Sequence, residues 1–248
     1  MTISDSANHF ESLLAFDRAS YKKLAKKFGI KVERSKSSSQ LKIFSEQKTF
    51  IIGVDEVGRG CLAGPVFTCA VLLPELEEGL RRSLSGLKDS KLLSATKREQ
   101  ICHTLESSAW YALGEASPAE IDELNILNAS LLAMQRAVDA LLVKLPFPRE
   151  KFVVLVDGNK VIKNLSVPQQ TVVKGDNRSA AIAAASVIAK VHRDSFMEKL
   201  DCEFPEYGFA QHKGYPSALH RKAIAQVGAC PWHRQSFKLL PQAVEDLG

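Results

Sequence analysis

The sequence predicts an α/β protein: a mixed five-stranded sheet flanked by helices, followed by a small helical C-terminal part. Two observations carry that expectation. Five short apolar or β-branched runs fall at 50–54, 65–73, 109–114, 152–156 and 171–173, and longer stretches with three- and four-residue apolar spacing lie around them. The first three runs have short links and the later ones alternate with helical patterns, so antiparallel and parallel pairing should share one sheet.

Each element has its own reason. Phe10, Leu13, Leu14, Tyr21, Leu24, Ala25 and Phe28 give 8–28 an amphipathic helical face, with Lys22, Lys23, Lys26 and Lys27 on the wetter side. Gly29 ends that helix, and Ser35–Ser39 reads as a flexible linker, placing the start of the folded core near Thr49. Ser94 caps a helix to Leu105, and Ser117-Pro118 opens a short one to Leu124. Asn125–Leu142 is a longer apolar helix. Phe152–Val156 is continuous and β-branched, as a strand covered on both faces requires. Asn177–Leu200 is rich in Ala and Ser, which lets a helix lie close to a sheet, and a last helix spans Pro216–Val227. The division expected is 1–48 for the basic helix and linker, 49–200 for the sheet domain and 201–248 for the C-terminal helical region.

Composition excludes several classes. With 248 residues, 45% hydrophobic and 25% charged, the chain is ordinary globular material. No apolar run reaches the ~18–20 residues of a membrane span, and the polar N-terminus does not resemble a signal peptide. Five scattered cysteines, Cys61, Cys69, Cys102, Cys202 and Cys230, form no zinc spacing and fit reduced thiols. A cytoplasmic monomer is expected. The net charge of +5 belongs to residues 1–48; the remaining residues balance. Eight Lys/Arg against one Glu between Arg18 and Lys36 suit a polyanion without sequence selectivity.

The chemistry concentrates where strands end. The first strand runs into Asp55-Glu56, then Gly58-Arg59-Gly60; the fourth delivers Asp157; the fifth leads through Lys174-Gly175 to Asp176. Singly these read as a surface turn, a turn aspartate and a helix cap. Together they put four carboxylates at the C-terminal ends of three strands, where open α/β sheets place their sites. Four hard oxygen donors without His or Cys suit Mg²⁺ or Mn²⁺ rather than zinc, and such a cluster suits two-metal phosphodiester hydrolysis.

DEVGRGCLAGPV (Asp55–Val66) resembles the hallmark of the ribonuclease HII family. KDSKLLS (Lys88–Ser94), EIDELNIL (Glu120–Leu127), VDGN (Val156–Asn159), VKGD (Val173–Asp176), AAASVIAKVHRD (Ala183–Asp194), FPEYGFAQHKGYPS (Phe204–Ser217) and HRQSF (His233–Phe237) follow in family order. The departures are mild: Leu92 stands where a second Lys is frequent, and Cys61 where Pro is frequent. The resemblance implies a ribonuclease H-like sheet with catalysis and metal binding by Asp55, Glu56, Asp157 and Asp176. Its implied substrates are RNA–DNA hybrids and single ribonucleotides in duplex DNA, cut on the 5′ side to leave 3′-hydroxyl and 5′-phosphate ends.

It also implies that Gly58, Arg59 and Gly60 sense the ribose 2′-hydroxyl, the group that separates RNA from DNA, and that Tyr215 packs against the adjoining sugar. Lys91 and Lys213, with Lys174, Arg178, Lys190 and Arg193, are candidates for phosphate contacts, each equally readable as a solvated or ion-paired surface residue. The sister ribonuclease HIII family usually lacks the arginine between the glycines. A non-catalytic nucleic-acid binder on the same fold would be expected to have lost a carboxylate. Gln40-Leu41-Lys42-Ile43-Phe44 resembles peptides that bind bacterial sliding clamps, although so short a motif recurs by chance and packing of these apolar residues against the first strand is the favoured reading.

Overall fold

In the computed structural model, which describes residues 3–30, 50–87 and 94–240, five strands form one sheet in the order β3-β2-β1-β4-β5. Strands β1 (Ile51–Val57), β2 (Val66–Leu72) and β3 (Trp110–Ala116) form an antiparallel meander. Strands β4 (Val153–Asp157) and β5 (Gln169–Val172) continue parallel to β1. This is the expected mixed sheet. Strand β1 extends beyond its apolar run because pairing with β2 continues through Asp55↔Cys69, Glu56↔Thr68 and Val57↔Phe67. The two adjacent carboxylates therefore sit in the strand, not in the turn after it. Strand β5 starts earlier than its apolar residues suggest, and Gln169 there bonds the backbone of Ile162 in both directions.

The helices are α1 (Ile3–Phe28), α2 (Glu78–Leu84), α3 (Ala95–Ser108), α4 (Pro118–Leu124), α5 (Ile126–Lys144), α6 (Ala180–Glu203), α7 (Phe209–His212) and α8 (Ala218–Val227). Their starts follow the cap chemistry: Ser94 accepts from the Lys97 amide, and Ser117 with Glu120 forms a reciprocal capping box. The Ala-rich helix begins at Ala180, capped by Ser179, three residues later than expected. A separate 3-10 turn, Gly175–Asn177, precedes it, so Asp176 lies in that turn and is not the cap.

Helix α5 buries Ala133, Met134, Ala137, Val138 and Leu141 on one face of the sheet, and α6 buries Ala180 to Ala189 on the other, with α3 behind it. The close approach of α6 is set by Gly53: a Cβ there would sit 2.2 Å from the Ala181 carbonyl carbon. Since side chains alternate along a strand, Asp55 shares the α6 face with Gly53, while Glu56 turns toward the α5 side. By length and composition α5 would also suit a membrane span, yet here its apolar stripe lies on β2 and β3.

Helix α1 is amphipathic as expected, but it is docked rather than free. Phe10, Leu13, Tyr21 and Leu24 are buried in the two clusters on either side of the sheet. Asp17, buried on the same helix, accepts from the Ala181 amide at 3.0 Å at the start of α6. Lys22, Lys23, Lys26 and Lys27 face solvent. An expectation of a core beginning near Thr49 thus omits a helix that contributes to both halves of the core. The Ser35–Ser39 linker, Gln40–Phe44 and Lys91 lie outside the described residues.

Candidate active site

Carboxylate oxygens of Asp55, Glu56 and Asp157 all lie within 4.8 Å of one another. The sheet causes this: Val54 pairs with Val156, so the next residues on adjacent parallel strands, Asp55 and Asp157, emerge side by side. Glu56 follows on the opposite face and is held by Arg59, whose Nη1 reaches its Oε1 at 2.9 Å. The Glu56 amide donates to Asp55 Oδ1 at 2.7 Å, and the Ser186 hydroxyl of α6 also bonds Asp55. Asp157 Oδ1 accepts from the Gly175 amide at 2.6 Å. That bond fastens the Gly175–Asn177 turn, with Asp176, to the end of β4.

Burial first, then the charges of Glu56 and Asp157, push the Asp55 carboxyl well above the usual carboxylate range. Burial also raises Glu56, opposed by Arg59. Crowded beside Asp157, the Asp55 and Glu56 carboxyls resist full ionisation unless a cation joins them. An all-oxygen donor set of this kind fits a hard divalent ion. A cleft of about 200 Å³ opens beside Glu56 and Asp157, bounded by Arg59, Leu127, Met134, Asn159 and Lys160.

Strand β1 continues into the Gly58–Gly64 loop, which two buried arginines fix in place. Arg193 of α6 donates to the carbonyls of Pro65, Ala63 and Lys213 at 3.2, 3.2 and 2.9 Å. Arg234 donates twice to Gly64 O and once to Arg59 O, at 2.8 to 3.0 Å. Gly58, with φ +92°, lies against Arg193: a Cβ there would meet Nε at 2.2 Å. The loop is also tied to the turn before Tyr215, as the Leu62 amide donates to Gly214 O at 2.8 Å. Tyr215 is 38% exposed, with Lys190 Nζ 5.9 Å above its ring.

Of the sequence-predicted residues, the structure brings Asp55, Glu56 and Asp157 together, and Gly58, Arg59 and Gly60 follow in the loop beside Tyr215. Asp176 adjoins Asp157 through Gly175 but is not among the three mutually close carboxylates. Several basic candidates are otherwise engaged. Arg193 is completely buried and pins backbone, so it is not a phosphate contact. Arg178 stacks on Phe16 of α1 at 4.8 Å, Lys190 pairs with Asp194 at 2.7 Å, and Lys213 pairs with Glu198 at 2.6 Å. Sequence reasoning missed Arg234, Ser186 and Asp122. Asp122 receives the Gln235 and Ser236 amides at 2.9 and 2.8 Å, tying α4 to the C-terminal segment. The motifs around these residues were visible, but which carbonyls and amides they meet was not.

Residues 52–240 match the family description Ribonuclease HII. The chain belongs to the ribonuclease HII family. The ribonuclease HII of Maricaulis maris (strain MCS10) is 47% identical over 195 residues, spanning 79% of this chain and 84% of that protein. That of Chlorobium chlorochromatii (strain CaD3) is 49% identical over 191 residues, spanning 77% and 90%. Among solved structures, the PCNA:RNase HII complex from Archaeoglobus fulgidus aligns with a TM-score of 0.61 and 27% identity, covering 79% of this chain and 99% of that one. As a ribonuclease HII, this chain is a metal-dependent endoribonuclease that degrades RNA in RNA–DNA hybrids.

Proposed function

We propose that this ribonuclease HII also incises duplex DNA on the 5′ side of a single embedded ribonucleotide, leaving 3′-hydroxyl and 5′-phosphate ends. One observation carries the reading: the strand bearing Asp55 and Glu56 runs straight into a glycine loop that is locked to the Tyr215 turn. Acid cluster and sugar-sensing elements are thereby parts of one rigid unit.

Asp55, Glu56 and Asp157, with Asp176 from the neighbouring turn, would hold Mg²⁺ or Mn²⁺. A pair of such ions supplies an activated water and neutralises charge on the leaving oxygen. The chain's own part is orientation. Ser186 and the Glu56 amide fix the Asp55 carboxylate, Arg59 fixes Glu56, and the Gly175 amide fixes Asp157. In the Gly58-Arg59-Gly60 loop, backbone groups offer hydrogen bonds to a 2′-hydroxyl in the shallow minor groove. Tyr215 presents its ring to the adjoining sugar. For phosphate, Lys160 at the cleft rim is better placed than Lys213, which would first have to leave Glu198.

We assign the solvent-facing lysines of α1 a non-selective attraction to the duplex, and keep the docking of a sliding clamp as the second of the two readings that Gln40–Phe44 admits. The A. fulgidus relative was solved with PCNA, which supports that second reading. A synthetic Gln40–Phe44 peptide that fails to bind the clamp defeats it. We take α1 together with the sheet domain as the catalytic unit and 201–248 as the substrate-binding region of a cytoplasmic monomer.

A gel assay tests the main reading. A DNA duplex with one ribonucleotide is incubated with protein in Mg²⁺, Mn²⁺ or chelator, beside all-DNA and long-hybrid controls. A single 5′ incision is expected only with metal. Tyr215→Ala should lower it by at least ~10-fold while leaving the fold intact. Cleavage of the long hybrid alone would overturn the single-ribonucleotide assignment.

A further inference from the structure

A second group of metal-ligating side chains lies between α3 and α6, away from the strand ends. Cys102 and Glu106 are four residues apart on α3 and so share one face. His192 meets them from α6, its Nε2 2.7 Å from Glu106 Oε1. The Cys102 sulfur, a Glu106 oxygen and a His192 nitrogen all lie within 4.8 Å of one another. We propose that Cys102, Glu106 and His192 form a three-ligand site for a borderline divalent cation, Zn²⁺ above all, distinct from the carboxylate cluster.

The donor set decides the class of ion. One sulfur, one imidazole and one carboxylate favour Zn²⁺ over Mg²⁺ or Ca²⁺, the reverse of the all-oxygen set at Asp55. A tetrahedral ion with bonds of about 2.0–2.3 Å holds its ligand atoms about 3.3–3.8 Å apart, so small side-chain rotations convert the present spacing into a coordination sphere. Such a site also needs access and support. Cys102 is buried, whereas Glu106 and His192 keep 30% and 33% of their side chains exposed, leaving one open side for the ion and a fourth ligand. The Tyr111 hydroxyl of β3 donates to Glu106 Oε1 at 3.4 Å, a supporting contact behind the carboxylate. Bound there, an ion would clamp α3 to α6, the helix whose Ser186 orients Asp55 about 9 Å of helix rise away.

The test uses the full-length protein with Co²⁺ as the probe, in saturating Mg²⁺ so that the oxygen cluster is occupied. One equivalent should bind with the near-ultraviolet absorption of a cobalt–thiolate bond, and Zn²⁺ should abolish that band. Cys102→Ala should eliminate it. His192→Gln, at a half-exposed position that leaves the core intact, should weaken binding by at least ~10-fold, and Tyr111→Phe by about 10-fold. Hybrid cleavage in Mg²⁺ by the Cys102 and His192 variants should match the original chain, since neither touches the carboxylates. Absence of the thiolate band in the original chain, its persistence in Cys102→Ala, or unweakened binding in His192→Gln overturns the proposal.

Discussion

The strand-end carboxylates and the C-terminal lobe around Tyr215 both bury polar groups, but they balance them in opposite ways. In the lobe each donor finds an acceptor. The Cys230 amide donates to His233 Nδ1 at 3.0 Å, which puts the His233 proton on Nε2. That nitrogen is 3.0 Å from His220 Nε2, which must accept, so His220 carries its proton on Nδ1 and gives it to Tyr215 O, also at 3.0 Å. His212 stacks on His220 with centroids 4.3 Å apart and accepts from the Gly214 amide. The His220 ring thus holds the Tyr215 carbonyl, backed by His233 and stacked on His212. At the strand ends, carboxyls crowd together with too few donors, and burial lifts Asp55 and Glu56. The histidines complete one another; the acid cluster calls for a cation.

That contrast is broken most directly at Asp55. Asp55→Asn should lower hybrid cleavage by at least about 100–1,000-fold. In chelator it should melt no lower than the original chain, because it removes a carboxyl that burial and repulsion disfavour. Added Mg²⁺ should raise the melting temperature of the original chain and leave the variant nearly unmoved. Retained turnover, or a large loss of stability in chelator, would mean that Asp55 is structural. The expected mirror image is Arg234→Met. It orphans the Gly64 and Arg59 carbonyls and should cost about 3 kcal/mol, read from urea midpoints, with the ribonucleotide selectivity proposed for the loop falling along with stability.

The next effect is one of pH. Burial lowers His220 to about 4 and lowers His233 as well. Both are more basic when unfolded, so between about pH 6.5 and 4 the unfolded chain binds the extra protons. Their stabilisation is fully present above about 6.5 and is lost as pH falls toward 4. Urea midpoints at pH 7 and 5 should show this loss, and His220→Phe should flatten it. An unchanged slope in the variant would place the acid sensitivity elsewhere.

The two regions also differ in how far they could be read from sequence. Strands β1, β2 and β4 announce themselves as apolar runs, and Asp157 follows from the end of one such run. The reciprocal cap of Ser117 and Glu120 is written in four residues. Helix α2 was not anticipated, since Glu78–Leu84 is short, charged and interrupted by Gly79. The lobe's order depends on partners far away in the chain. Arg193 reads as a surface cation of an Arg-Asp pair, and only folding brings it the carbonyls of Ala63 and Pro65, some 130 residues earlier. Charge is legible in a sequence; the acceptor that consumes it is not.

Asp17 carries the smallest expected effect and joins the two behaviours. By spacing it falls on the apolar face of α1, four residues after Leu13 and four before Tyr21, and it is buried there against the start of α6. It accepts there from the Ala181 amide and is also bonded by Ser179 and the Ala180 amide. Burial raises its carboxyl to about 7, opposed by those bonds. The positive end of α6 acts in the same direction as the bonds, favouring the charged form. If burial prevails, the sign is opposite to that of the histidines: the stabilisation is complete below about 3.8 and is lost as pH rises through 7. Asp17→Asn keeps an acceptor for Ala181 and removes the titration. It should raise stability by about 1 kcal/mol at pH 7.5 and by less at pH 4.5, steepening the acid loss left to His220 and His233. A variant that is instead weaker at pH 7.5 than at pH 4.5 would show that the helix end holds Asp17 ionised. In that case α1 is fastened to the core by charge as well as by Phe10, Leu13, Tyr21 and Leu24.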